Sequence, residues 1–285
     1  MVLLAVIQMN KPTIKVRAQQ TESTLLANEQ DTASIIRAIY LNRGITDTEQ
    51  LDYALNNLPS PNLMKSNLEA GSLLAQAIMR QDKLLIVADF DVDGATSCSL
   101  MMLALKSMGA KHVDYLVPDR FKFGYGLTPE IVEVAAELNP DLIITVDNGI
   151  ASIDGVQRAN DLSIKVLITD HHLPGKELPD AIAIVNPNQL GCEFPTKALA
   201  GVGVAFYLML ALRAKLRELD WFNSEGIIEP NLTQFLDLVA LGTVADIVPL
   251  EHCNRILVTH GMKRIRAGAC RPGTTSLPSN SAIAS

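Results

Sequence analysis

The sequence predicts an α/β protein: a parallel sheet of about five strands flanked by helices, with a helical preface before it and a helical part after it. Three observations predict this. Short aliphatic runs rich in Ile and Val recur at Leu84 to Ala88, Val113 to Val117, Leu142 to Val146, Val166 to Ile168 and Ile182 to Val185. Such runs read as strands buried on both faces. Stretches of helical spacing separate them, at Thr96 to Met108, Pro129 to Leu138 and Ile153 to Asn160, and this alternation is that of right-handed crossover units. Three of the runs also end in Asp or Asp-His-His, at the strand ends where open α/β sheets gather their ligand sites.

The elements follow in chain order. Residues 1–34 carry no clear period, and Gln8 to Gln30 is polar, so a loose arm is expected there. Val2 to Ile7 is apolar but lacks the basic region and small-residue cleavage site of a signal peptide. Residues 35–80 read as the helical preface. Ile36, Ile39 and Tyr40 share a helical face, Gly44 stops that helix, and Leu68 to Ile78 forms another. Between them Thr46 offers a cap, with Glu49 as its capping-box partner.

Residues 81–268 form the main domain. After the last strand, Phe206 to Leu219 and Leu232 to Leu241 read as helices. The longest uncharged stretch, Ala198 to Leu212, is interrupted by Gly201 and Gly203. It falls short of the roughly 18 apolar residues of a membrane helix, so a buried helix is expected. Residues 269–285 are rich in Ser, Thr, Pro, Ala and Gly and read as a disordered tail.

Composition narrows the function classes. The formal net charge of −7 argues against indiscriminate coating of nucleic acid and leaves room only for a local basic patch. Cys98, Cys192, Cys253 and Cys270 are far apart with no C-x-x-C pair, which excludes a zinc knuckle or disulfide scaffold and points to a reduced, cytoplasmic protein.

The candidate chemistry sits at the strand ends. Asp89, Asp91 and Asp93 alternate, so an extended segment would put all three on one side before Gly94 turns the chain. One of them as a helix cap, with the others solvated, is the competing reading. Asp147, before Asn148 and Gly149, reads equally as a turn residue. Asp170-His171-His172 shifts the balance, because imidazole together with carboxylates suits manganese, iron or zinc. Asp170 is placed to orient the ring of His171. Asp246 lies in an apolar setting, where a carboxylate needs pairing or coordination. His112, His252 and His260 are read as structural.

These segments resemble the motifs of the DHH phosphoesterase superfamily. Ala88-Asp89-Phe90-Asp91-Val92-Asp93-Gly94 is similar to the first motif, Val146-Asp147-Asn148-Gly149-Ile150 to the second, Thr169-Asp170-His171-His172 to the third and Gly242-Thr243-Val244-Ala245-Asp246 to the fourth. Order and spacing match best in the RecJ family of exonucleases specific for single-stranded DNA. Asn186-Pro187-Asn188 and Leu199 to Phe206 also resemble segments of that family.

The resemblance implies a metal-dependent phosphodiesterase of DNA repair and recombination, digesting single-stranded DNA from its 5′ end. It implies two divalent ions, manganese before magnesium. Asp91 and Asp93 would each serve one ion, with Asp89 nearby, Asp147 bridging, and His171 and Asp246 completing the second site. His172, beside Asp170, would face the substrate phosphate. Arg120-Phe121-Lys122-Phe123-Gly124-Tyr125-Gly126-Leu127 interleaves charge and rings as a single strand requires. Arg120, Phe123, Tyr125 and Gly126 are the expected substrate contacts, and a core-capping loop is the competing reading. Lys263, Arg264, Arg266 and Arg271 read as a solvated helix end.

Two rival functions stand beside this one. A hydrolase of pyrophosphate or short oligonucleotides would carry a histidine four residues before Asp91, where this chain has Val87. A non-catalytic metal- or DNA-binding fragment would follow if the companion domain of such exonucleases is missing, since the chain after Gly268 no longer resembles them. Weak, non-processive activity is the corresponding expectation. A monomer away from membranes is expected, and no protein partner is legible.

Overall fold

The computed structural model describes residues 32–272, without the side chains of residues 32–34 and Arg120. The expected arm lies almost wholly outside the described residues, as does most of the expected tail. Two compact units divide the chain, Met1–Asp52 and Tyr53–Ser285. The sequence grouped residues 35–80 as one preface, but residues 53–80 belong to the second unit.

The described part of the first unit is helix α1 (Thr32–Leu41), then Gly44 at φ 74°, then a 3-10 turn over Thr48–Leu51. The cap of that turn sits one residue later than expected. Asp47 accepts from the Glu49 amide at 2.9 Å, and the Gln50 side chain accepts from the Thr46 and Asp47 amides. An aspartate is at least as good an N-cap as a threonine, and Gln50 completes its box.

In the second unit, α2 (Asn67–Arg80) leads into β1 (Leu84–Ala88), α3 (Val92–Ser107) and β2 (Val113–Leu116). After them come α4 (Arg120–Phe123), α5 (Pro129–Ala136), β3 (Leu142–Val146), α6 (Ile153–Asp161), β4 (Lys165–Thr169) and β5 (Ala183–Val185). The remaining helices are α7 (Gly201–Glu218), α8 (Trp221–Ser224), α9 (Leu236–Ala245) and α10 (His252–Arg266). The strands form one parallel sheet in the order β2-β1-β3-β4-β5.

Alternate strand residues feed two cores, because side chains in a strand point to opposite faces. Leu84, Ile86, Leu142, Ile144 and Val146 pack with α2, α3, α7 and α9, whereas Leu85, Val87, Ile143, Val166 and Ile168 pack with α5 and α6. Burial on both faces explains why these strands are continuously aliphatic. The long apolar stretch is a buried helix as expected: α7 is covered from Gly201 to Leu212, and its last six residues emerge except for Leu216. Among the described residues, no helix is long and apolar enough to cross a membrane.

Three helices have a boundary more than two residues from the sequence reading, and one of them is α7, which starts at Gly201 rather than Phe206. The segment Leu232 to Leu241 divides into a 3-10 turn over Leu232–Phe235 and the start of α9. Helix α3 begins at Val92 rather than Thr96, because the Asp91 carboxylate accepts from the Gly94 amide at 2.9 Å and caps it. Asp93 therefore lies in a helical turn, and the three aspartates do not share one side of an extended segment. Gly94 is not a turn residue either; a side chain there would collide with the Asp89 carbonyl.

The end of the described chain also departs from expectation. Arg271 is not solvated. Its amide donates to Asp237 at 3.0 Å, its guanidinium pairs with the same buried carboxylate, and it lies 4.8 Å from the Phe235 ring centroid. A buried carboxylate needs such a partner, and this pairing ties Arg271 to α9.

Candidate metal centre

The sheet order places the site. From β1 the chain leaves towards β2 on one side, and from β3 towards β4 on the other. At such a switch point the adjoining loops part and leave a crevice at the carboxyl ends of the strands. Asp89 and Asp91 follow β1, Asp147 follows β3, and Asp170, His171 and His172 follow β4. Asp93 enters from the first turn of α3, and Asp246 from the end of α9.

All six expected metal ligands come together. Asp89, Asp91 and Asp147 present ligand atoms within 4.8 Å of one another, and so do Asp93, His171 and Asp246. Asp147 also groups with His171 and His172. The His171 Nε2 atom is 3.1 Å from Asp147 Oδ1, 3.7 Å from Asp246 Oδ2 and 3.8 Å from Asp93 Oδ2. Asp147 thus stands between an all-oxygen group and an imidazole-containing one. Its backbone sits in the left-handed region at φ 62°, a conformation Asp tolerates better than most residues and one that tends to collect at functional sites.

The electrostatics call for a cation. Oδ1 of Asp147 and Oδ2 of Asp246 are buried and accept no well-aligned hydrogen bond. Burial lifts Asp93 to about 6, against hydrogen bonds from Val202 and Gly201 that favour its charged form. Burial also pushes Asp147 up, with Asp93 and Asp91 adding to the rise. Burial would lower His171, but Asp147, Asp93 and Asp246 together carry it up to about 9. Carboxylates this close stay ionised only if positive charge sits among them. Oxygen donors with one imidazole fit a manganese-class divalent ion, so the residues present fit the group the motifs imply.

The residues around this cluster are anchored. The Asn148 side chain donates to the carbonyls of Val87 and Val146, tying the Asp147 loop to both strands. Asn186 donates to the His172 carbonyl at 2.9 Å, and Asn188 to the His171 carbonyl at 2.6 Å.

Asp170 orients His172, not His171 as the sequence suggested. Its Oδ1 lies 2.7 Å from His172 Nδ1 and also accepts from the amides of His171 and His172, while Oδ2 accepts from Ile150. Burial alone would raise Asp170, but these bonds outweigh it and hold it below the usual carboxylate range. The geometry is set by chain direction: His171 turns in towards Asp147, which leaves His172 over Asp170. The His172 ring stays half exposed, with the Tyr125 hydroxyl 3.3 Å from Nδ1.

A match to the N-terminal domain model of the DHH family covers residues 83–243. This chain belongs to the DHH family. It is 54% identical over 244 residues to the single-stranded-DNA-specific exonuclease RecJ of Dickeya dadantii (strain 3937), which is 86% of this chain and 42% of that relative. Against the RecJ of Escherichia coli (strain K12) the identity is 51% over 243 residues, 85% of this chain and 42% of the relative. A crystal structure of exonuclease RecJ bound to manganese superposes with a TM-score of 0.61 at 34% identity, over 72% of this chain and 49% of that one. RecJ of Thermus thermophilus in complex with Mn2+ gives a TM-score of 0.64 at 33% identity, over 80% of this chain and 31% of that one. The chain therefore spans less than half the length of these relatives.

The expected substrate segment of this DHH domain divides. Arg120–Phe123 is the short helix α4 rather than a loop, and Phe123 packs against the core shared with α5 and α6, as the core-capping reading had it. Phe121 is instead 96% exposed. Tyr125 and Gly126 do lie at the site: the Tyr125 hydroxyl donates to the Asp147 carbonyl at 3.2 Å, and Gly126 at φ 78° lets the chain pass close to Ser152. Of Arg120 only the backbone is described.

The sequence reading missed Gly201 and Val202, whose amides donate to Asp93 at 2.6 and 2.9 Å. One signal was available. Ala200 is the N-cap of α7 and offers no side-chain acceptor, so those amides needed a partner from elsewhere.

Proposed function

We propose that this chain carries the metal-binding half of a RecJ-type exonuclease, a phosphodiesterase that removes nucleotides from the 5′ end of single-stranded DNA in cytoplasmic repair and recombination. One observation carries the reading: two groups of ligand atoms from distant segments meet beside Asp147 at the switch point of the sheet. In this reading Asp89, Asp91 and Asp147 hold one divalent ion, and Asp93, His171 and Asp246 the other, with Asp147 between them. Manganese is favoured over magnesium because of His171.

Bound there, the pair of ions supplies Lewis-acid polarisation of the phosphate and offsets the charge that builds in the transition state. The other work falls to side chains. Asp170 takes Nδ1 of His172, which leaves Nε2, 3.4 Å from the Tyr125 hydroxyl, as the nitrogen to meet a phosphate oxygen. The bond from Asp170 raises His172 against the opposing effect of burial, which favours the imidazolium that donates to an anion. Tyr125 braces that ring from the other side, and Phe121 offers an exposed surface for a base. Arg120 supplies charge for the strand.

In this reading the 285 residues, tested by themselves, act as a monomer that works slowly and without processivity. The test is release of mononucleotides from a single-stranded oligonucleotide bearing a 5′ label, with manganese and with chelator. Manganese-dependent release from single strands, and none from duplex, is expected. Absence of release from this chain and also from a version extended to the length of the relatives rejects the proposal.

A further inference from the structure

We infer that Gly201 is a positioning residue for the metal centre: the bare start of α7 fixes where the Asp93 and Asp147 carboxylates meet. The inference rests on the reading that these two aspartates hold divalent ions, and it concerns a residue outside the ligand set.

Helix α7 is 18 residues long and begins without a capping side chain, since its N-cap is Ala200. Its first amides would be orphaned inside the protein. Asp93 takes them both, Oδ2 from Gly201 at 2.6 Å and Oδ1 from Val202 at 2.9 Å. The carboxylate is therefore held at two points by rigid backbone. Its charge also faces the positive end of the helix dipole.

Gly201 acts on Asp147 by having no side chain. A Cβ there would fall 2.7 Å from Asp147 Oδ1, 2.9 Å from its Cβ and 3.0 Å from its Cγ. The three nearest atoms all belong to that one aspartate. Even alanine would push the Asp147 side chain away from His171, whereas glycine lets the helix end touch both carboxylates. The backbone at Gly201 is not left-handed, so space and not conformational freedom demands glycine. Gly242 on α9 differs: a Cβ there would meet Thr96 Oγ1 at 2.3 Å and Val202 Cγ1 at 2.8 Å before Asp93 Oδ1 at 2.9 Å, so close packing of α9 already demands that glycine.

Gly203 provides the control. It lies in the same helix, and a Cβ there would also clash, but with Leu199 at 2.6 and 2.7 Å. Leu199 is core and has no part in the site. Gly201→Ala and Gly203→Ala thus insert the same methyl group two residues apart, one against a carboxylate and one against an aliphatic chain.

The experiment measures Mn2+ affinity by electron paramagnetic resonance titration of the 285-residue chain, with urea midpoints in chelator for each variant. Gly201→Ala is expected to weaken Mn2+ binding about 10- to 100-fold, the loss typical of disturbing the groups that orient ligands. Its midpoint in chelator should fall no further than that of Gly203→Ala, because rotation of the unliganded Asp147 side chain relieves the Oδ1 and Cγ contacts and leaves only the 2.9 Å Cβ contact for a small backbone shift. Gly203→Ala should lower the midpoint and leave Mn2+ affinity unchanged. Parent-like affinity in Gly201→Ala overturns the inference, and so does an equal affinity loss in both variants. A parent chain that binds no Mn2+ sinks the metal reading itself, a separate outcome. Should Gly201→Ala fail to fold, adding Asp147→Gly must restore folding, since that side chain from its Cβ outward is the obstacle; failure of the rescue counts against the inference.

Discussion

His171 and His172 are neighbours in the chain with opposite surroundings. The first is mostly buried, and its Nε2 faces carboxylates of three separate elements at 3.1 to 3.8 Å. The second is half exposed, and one carboxylate, Asp170, holds its Nδ1 at 2.7 Å. Burial opposes the charged form of both rings, and carboxylates prevail in both. The number and freedom of those carboxylates differ. Those around His171 have lone pairs to spare and fit a cation, whereas Asp170 has spent its lone pairs on three amides and one ring. An imidazole among carboxylates with lone pairs to spare suits a ligand, and one beside a spent carboxylate suits a held donor.

The harshest test of this contrast removes what the two rings share. Asp147→Ala should abolish binding of the second Mn2+ and cut affinity for the first by more than the roughly 100-fold that loss of an orienting partner costs. Titration with Mn2+ reads this directly. Unchanged stoichiometry would show that Asp147 does not stand between two ions.

The next test separates the rings. His171→Ala should lose Mn2+ affinity, while His172→Ala should bind Mn2+ as the parent does and lose about 100- to 1,000-fold in kcat, the range for removing one donor to a developing charge. Metal titration and single-turnover hydrolysis together decide it. If both variants lose metal equally, the division of labour is wrong.

Much of this contrast was legible in the sequence. Ile- and Val-rich runs ending in Asp or His announced both the buried parallel sheet and the rim on which the site lies, because strands covered on both faces leave little else to be aliphatic. Three-dimensional pairings were not legible. Asp170 adjoins His171 in sequence and lies two residues from His172, yet the turn after β4 brings it to the farther ring. Phe123 and Phe121 look alike on paper, yet two residues along the short helix α4 take one into the core and the other into solvent. The link between Gly201 and Asp93 spans 108 residues, and no local pattern encodes it. Capping by one of the three aspartates was predicted as an alternative to ligation. Asp91 is the one that caps, and its geometry leaves room for both, since Oδ1 caps α3 while the carboxylate still groups with Asp89 and Asp147.

The gentlest test changes only pH. Asp93 and Asp147 have folded values above those of the unfolded chain, about 6 for Asp93, and His171 stands at about 9 against 6.5 unfolded. A raised value contributes stability at low pH, where the group is protonated in both states, and that contribution is lost as pH rises through the folded value. All three shifts share this sign, so the chelated protein should lose thermal stability steadily between about pH 5 and pH 9, on the order of 5 °C in Tm. Asp170 has the opposite sign: its folded value is lowered, so its contribution is present above the unfolded carboxylate value and lost only in stronger acid. Divalent ions replace the protons of these raised groups, and of Asp246, which burial also raises, and not that of Asp170. The Mn2+-induced rise in Tm should therefore be larger at about pH 8.5 than at about pH 5.5, on either side of the window those shifts define. A rise that is constant with pH would mean that the ion does not displace protons from the Asp93, Asp147 and His171 cluster, and that His171 is no more a ligand than His172.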